Sequence, residues 1–256
     1  MGRLLKLILC VLSLTLVLNV STFALANDNF SWYCKRNTEH LQPEIDAEMR
    51  FIEEYDGYYV DKSVSDSHEK VIYLTFDAGY ENGNIQKILE ILQAENVTGS
   101  FFILENLLNK NPELVKKMVD NGNLVCNHTA SHKDISKLSY DELKNELETM
   151  EKLFKEKTGR EMAKYFRPPE GRFSETSMKN LSDLGYKTIF WSFAYADWDD
   201  NNQMSYDKAL DKVMSNIHNG AIILLHPTSA TNVAILPEII HRLKSEGYSF
   251  KTVDKL

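Results

Sequence analysis

Asp77 ends the apolar run Tyr73-Leu74-Thr75-Phe76 with a carboxylate, and Ala78-Gly79 follows it. His128 and His132 stand four apart in the polar stretch "NHTASH". Arg167 opens "RPPEG", Asp197-Trp198 closes "AYADW", and His226 ends "AIILLH". Together these groups suit hydrolysis at a carbonyl. Two neutral imidazoles bind a borderline cation such as Zn²⁺, Co²⁺ or Ni²⁺. Water on such a cation loses a proton far more easily than bulk water. A carboxylate beside it, Asp77, can take that proton as general base. His226 has the intrinsic pKa to protonate a leaving amine. An acid next to it, Asp197, would raise that pKa and hold the tautomer, and Arg167 beside Asp77 would keep the base ionised.

Each residue alone has a plainer explanation. An Asp after a strand is often a helix N-cap or an Asx turn. A pair of histidines four apart shares a face only on a helix, and the polar residues around His128 read as a loop. Arg167 could be a surface cation, Asp197-Trp198 a turn beside a packed aromatic, and His226 a half-buried imidazole with one partner. The chemistry therefore depends on elements that bring these positions together.

From residue 71 onward, short β-rich apolar runs alternate with longer amphipathic ones. Strands are expected at 71–76, 99–104, 123–127, 165–169, 187–193, 221–226 and 248–253. Helices are expected at 84–96, 111–122, 139–159, 174–185, 205–220 and 232–247. The fourth strand is ended by Pro168-Pro169. The long helix opens with the capping box Ser139-x-x-Glu142 and stops at Gly159. About seven strands alternating with about six helices imply a mostly parallel α/β domain, either a barrel or a doubly wound sheet. In both, ligands bind at the carboxyl ends of the strands, where all the residues above fall. Residues 27–68 read as a polar, irregular N-terminal extension with aromatic anchors in "SWYCKRN" and a helix over 43–55.

Residues 1–26 carry a basic start, an apolar stretch and Ala24-x-Ala26, the pattern of a cleaved secretory signal. The apolar stretch falls short of the roughly 20 residues a membrane span needs. Removing Arg3 and Lys6 with the signal takes the 29 basic residues to 27 against 37 acids, a formal net charge of −10. That balance disfavours nucleic acid, whose binding relies on clustered cations. Cys34 and Cys126 are too few for a disulfide scaffold and are expected as free thiols rather than a bridge.

The segments "TFDAG", "HTASH", "RPPEG", "ADW" and "LLH", in this order, resemble the five motifs of the polysaccharide deacetylases, the fourth family of carbohydrate esterases. The resemblance covers residues 69–256 as a catalytic domain. It implies a distorted (β/α) barrel and removal of an N-acetyl group from an amino sugar in a glycan. It makes Asp77 the base, His128 and His132 the metal ligands, and Arg167 the partner of Asp77. It aims the backbone N–H of Glu170 at the oxyanion, and makes His226 the acid tuned by Asp197. Trp198 and Leu224 would wall the acetyl pocket, with Tyr80 against the substrate. The family usually carries a second Asp where this chain has Ala78. The expected cation (Zn²⁺, or Co²⁺, Ni²⁺ or Mn²⁺) would then be weakly held. "DAGYENGN" and the N-terminal "FSWYCKRN" resemble the branch that deacetylates N-acetylmuramic acid and leads to muramic δ-lactam in spore cortex. That branch implies a peptidoglycan strand already stripped of stem peptides by an amidase. It also implies an exported enzyme of the cell wall or forespore intermembrane space, free of the membrane after signal cleavage. Arg172 is the expected contact for the muramic carboxylate. The rival readings are an N-acetylglucosamine or chitin-type deacetylase and a glycan-binding protein impaired in catalysis.

Overall fold

The alternation of apolar runs builds a curled parallel sheet wrapped by helices. The computed structural model describes residues 29–65 and 67–256; the signal expected over 1–26 lies outside the described residues. The elements in chain order are β1 (Phe30–Ser31), β2 (Gly57–Tyr58), β3 (Lys70–Ala78), α1 (Asn84–Ala94), β4 (Ser100–Ile103), α2 (Glu105–Lys110), α3 (Pro112–Asp120) and β5 (Leu124–Asn127). They continue with α4 (Tyr140–Thr158), β6 (Ala163–Phe166), β7 (Arg172–Phe173), α5 (Glu175–Asp183), β8 (Lys187–Ile189), α6 (Tyr206–Met214), β9 (Ala221–Leu225), α7 (Ala230–Ser245) and β10 (Tyr248–Phe250).

The main sheet runs β10-β3-β4-β5-β6-β8-β2, with β9 also paired to β3. All these pairings are parallel. Single bridges from Phe193 to Ile223 and from Val60 to Ala221 tie the far side of the sheet back to β9. The result is the distorted barrel. The side chains of β3 alternate as a pleated strand requires. Ile72, Leu74, Phe76 and Ala78 join the outer core beneath the helices. Val71 and Tyr73 point inward to Phe102, Cys126, Ile189 and Ile222.

The N-terminal extension is largely irregular, as expected, and carries two strands of two residues each. Its β2 adds an edge strand beside β8, and its β1 pairs antiparallel with β7. The helix expected over 43–55 is a 3₁₀ helix at Ala47–Tyr55. The strand expected over 187–193 stops at Ile189. Beyond it the chain crosses to the next strand, and the amides of Ser192 and Phe193 both donate to the Ile222 carbonyl at 3.0 and 3.3 Å. The long helix keeps its expected ends: Ser139 and Glu142 form the reciprocal cap, and Gly159 takes the left-handed conformation. Cys34 and Cys126 are both free thiols. Among the described residues no helix is long and apolar enough to cross a membrane.

Candidate active site

β3 delivers Asp77 to the rim, and the end of β6 delivers Arg167 to meet it. Arg167 is wholly buried. Its Nη1 donates to Asp77 Oδ1 at 2.8 Å, and its Nη2 donates to Thr75 Oγ1 at 2.8 Å. Nε and Nη2 also donate to the carbonyls of Ile189 and Phe190. The guanidinium carbon lies 4.1 Å from the centre of the Phe102 ring. Burial works against the charge on Asp77, but Arg167, His128 and His226 outweigh it and hold the carboxyl below its ordinary pKa.

His128 follows β5. Its Nδ1 is 2.8 Å from the Arg167 carbonyl, which makes Nδ1 the protonated nitrogen and leaves Nε2 bare. That Nε2 is 3.7 Å from Asp77 Oδ2. Burial pushes the His128 pKa down to about 4, so the ring is neutral at neutral pH. The His132 ring lies 5.2 Å away, centre to centre. Thr129 and His132 both adopt positive φ, at 69° and 58°. Such backbone costs on the order of 1–3 kcal/mol per residue and persists only where its surroundings enforce it. Glu146 of α4 supplies that enforcement. Its carboxylate accepts from the amides of Ala130 and Ser131 at 3.1 and 3.0 Å and from Ser131 Oγ, and it pairs with Lys133 Nζ at 2.8 Å. The motif pattern does not mark Glu146. The available signal was an acid on the buried stripe of α4, between Leu143 and Leu147.

The two imidazoles suit a borderline divalent cation. Ala78 adds no donor, since its methyl packs in the outer core. Among the described residues no group of three His, Cys, Asp or Glu side chains could hold a metal. The donor set therefore fits a cation held by two protein ligands, with its other positions left to water or substrate.

His226 follows β9 on the other side of the rim. Its Nδ1 donates to Asp197 Oδ1 at 2.7 Å, and its amide donates to Asp197 Oδ2 at 2.8 Å. Burial opposes charge on this ring. The hydrogen bond and charge of buried Asp197 prevail, and the His226 pKa rises above its ordinary 6.5. With Nδ1 tied back, Nε2 is the atom left for the cleft.

Between these groups lies a cleft of about 740 Å³. Asp77, His128, His132, Glu170 and His226 line it, with Tyr80, Trp198 and Leu224. Trp198 is 62% exposed, and its ring stands 6.1 Å from that of His226. Tyr80 is half-exposed and donates to Asp200 at 3.1 Å. Arg167 and Asp197 sit behind the lining as supports. Arg172 does not line the cleft. Its guanidinium lies on Glu170 at 2.9 Å and Asp134 at 3.6 Å. Glu170 carries a φ of 56° inside the turn Pro168–Gly171. Gly171 follows at φ 66°, where a Cβ would stand 2.8 Å from Trp191 and 2.9 Å from Trp32. Only glycine fits that position.

Residues 65–189 match a family model described as polysaccharide deacetylase. The peptidoglycan-N-acetylmuramic acid deacetylase PdaA of Bacillus subtilis is 39% identical over 91% of this chain and 88% of its own. A peptidoglycan-N-acetylglucosamine deacetylase of Bacillus cereus is 32% identical over 74% of this chain and 89% of its own. The solved structure of Bacillus subtilis PdaA, a family 4 carbohydrate esterase, superposes with a TM-score of 0.84 at 38% identity, covering 90% of this chain and 97% of that one.

Proposed function

This chain belongs to the polysaccharide deacetylase family, a family of hydrolases, and from that premise we propose that it removes the N-acetyl group of muramic acid in peptidoglycan strands free of stem peptides. The observation that carries the reading is the facing pair in one cleft: Asp77 held by Arg167, and His226 held by Asp197. In this reading the chain divides into an N-terminal extension, residues 27–68, and a catalytic domain, residues 69–256.

The reaction consumes one water and yields acetate and a free amine. Asp77 takes the water's proton as the carbonyl is attacked. The Glu170 N–H faces the developing oxyanion. His226 gives the proton on Nε2 to the departing nitrogen, and Asp197 stabilises the imidazolium beforehand. Trp198 and Leu224 flank the acetyl group, and Tyr80 meets the sugar. His128 and His132 would hold the divalent cation (Zn²⁺, Co²⁺, Ni²⁺ or Mn²⁺), which supplies Lewis acidity that acidifies water and polarises the amide carbonyl. The muramic lactyl carboxylate would draw Arg172 from Glu170 and Asp134. The freed amine then closes on that carboxylate with loss of water, giving the δ-lactam of spore cortex. In this reading the enzyme acts outside the cytoplasm, after an amidase that strips stem peptides.

Mass spectrometry of products decides the substrate. Peptide-stripped muramyl glycan is expected to lose acetyl and then water, and chitin oligomers to remain intact. Acetyl loss from chitin oligomers at an equal rate would overturn the muramic acid assignment in favour of a glucosamine deacetylase.

Two further outcomes follow from the site. Chelation should abolish acetate release, and added Co²⁺ or Zn²⁺ should restore it. Half-restoration should need more metal than in a relative with a third carboxylate ligand, as metal titration would measure. The second is a pH dependence. A general acid must be protonated, so kcat should hold on the acid side of the His226 pKa while Asp77 stays ionised and His128 neutral, and fall as pH rises through the His226 pKa, above 6.5. In Asp197→Asn that limb should move to lower pH, because the charge that raises the pKa is gone. A pH–rate profile of both proteins checks this.

A further inference from the structure

We propose that Asn232 is a positioning residue for proton donation by His226, acting through Asp197. Asn232 is wholly buried in the first turn of α7, and nothing in the motif pattern marks it. Its Nδ2 donates to Asp197 Oδ2 at 2.6 Å and to the His226 carbonyl at 3.0 Å. Its Oδ1 accepts from the hydroxyl of Tyr195. Tyr195 lines the cleft. The amide is thus fixed in orientation from both ends, and it contacts both members of the acid pair.

The geometry divides the labour within Asp197. Oδ1 accepts from His226 Nδ1, while Oδ2 accepts from the His226 amide and from Asn232. A carboxylate with one oxygen pinned by two N–H donors cannot rotate, so its other oxygen stays on Nδ1. The Nδ1–H tautomer is then enforced, and any second proton on the ring must sit on Nε2, toward the cleft. Asn232 also disperses part of the charge on Asp197. Without it, Asp197 would attract the imidazolium proton more strongly. His226 would become a weaker acid and a slower donor. The other charged groups acting on the ring are Asp77, which raises its pKa, and Arg167, which lowers it. Neither touches Asn232.

The proposal rests on His226 being the acid, and its test separates the two claims. The full exported chain is prepared as wild type, Asn232→Leu, Asn232→Asp and His226→Gln. ¹⁵N-NMR follows the His226 ring through a pH titration, and kcat and KM are measured on peptide-free muramyl glycan across the same range. In Asn232→Leu the His226 midpoint should rise by about one pH unit, the size expected when an anion loses one hydrogen bond. kcat should fall about 10- to 100-fold with KM little changed. Asn232→Asp places two carboxylates side by side, so one of them holds a proton. That proton can replace the amide's hydrogen bond to Asp197. Activity in Asn232→Asp should therefore approach wild type at low pH and collapse as the second carboxyl ionises. This variant keeps the test valid where Asn232→Leu does not fold. An unchanged His226 midpoint and an unshifted pH limb in the folded variants would overturn the proposal, leaving Asn232 a packing residue. Full turnover by His226→Gln would overturn the reading of His226 itself, while the NMR midpoint would still report on Asn232.

Discussion

Asp77→Asn should release acetate about 100- to 10,000-fold more slowly than wild type, the range general-base catalysis supplies. An amide at this position still accepts from Arg167 but cannot take a proton from water. The cleft walls at Trp198 and Leu224 are unaltered, so glycan binding should persist. Acetate release against glycan retention on the same preparation therefore separates catalysis from recognition. An impaired glycan-binding protein gives a different pattern, with no acetate from the wild type either. Equal acetate release by wild type and Asp77→Asn would remove Asp77 from the mechanism.

Arg167→Met should destabilise the fold by about 3–5 kcal/mol, because it strands a largely buried carboxylate without its cation. Arg167 is wholly buried and binds four acceptors: Asp77, Thr75 and the carbonyls of Ile189 and Phe190. The side chain therefore ties β6 to β3 and to the chain leaving β8. Thermal unfolding should show a drop in Tm on the order of 10 °C. The double variant Asp77→Asn/Arg167→Met should lose less than the sum of the two single changes, because the stranded charge is gone. Additive losses would mean that the ion pair itself contributes little and that the carbonyl contacts hold the fold.

The sequence determined the features whose causes are local. Ser139, Glu142 and Gly159 set both ends of α4 through bonds made within a few residues, and the observed caps are those expected. The alternation of strand and helix, and the prolines that end β6, placed the motif residues at strand termini. The five ordered motifs then named the family. Features that depend on meetings between distant residues emerge only in the folded chain. β2 joined the sheet because β8 left an edge for it, which nothing in Gly57–Tyr58 announces. Glu146 and Asn232 read as ordinary helix residues until the packing of α4 and α7 aimed them at the His128 loop and at Asp197. Arg172 keeps the residue type suited to a carboxylate, yet its own neighbours Glu170 and Asp134 occupy it. Periodicity and capping are written along the chain because they arise from contacts a few residues apart. A site assembled from Asp77, Arg167 and His226 depends on how the barrel curls, and that is set by all its strands together.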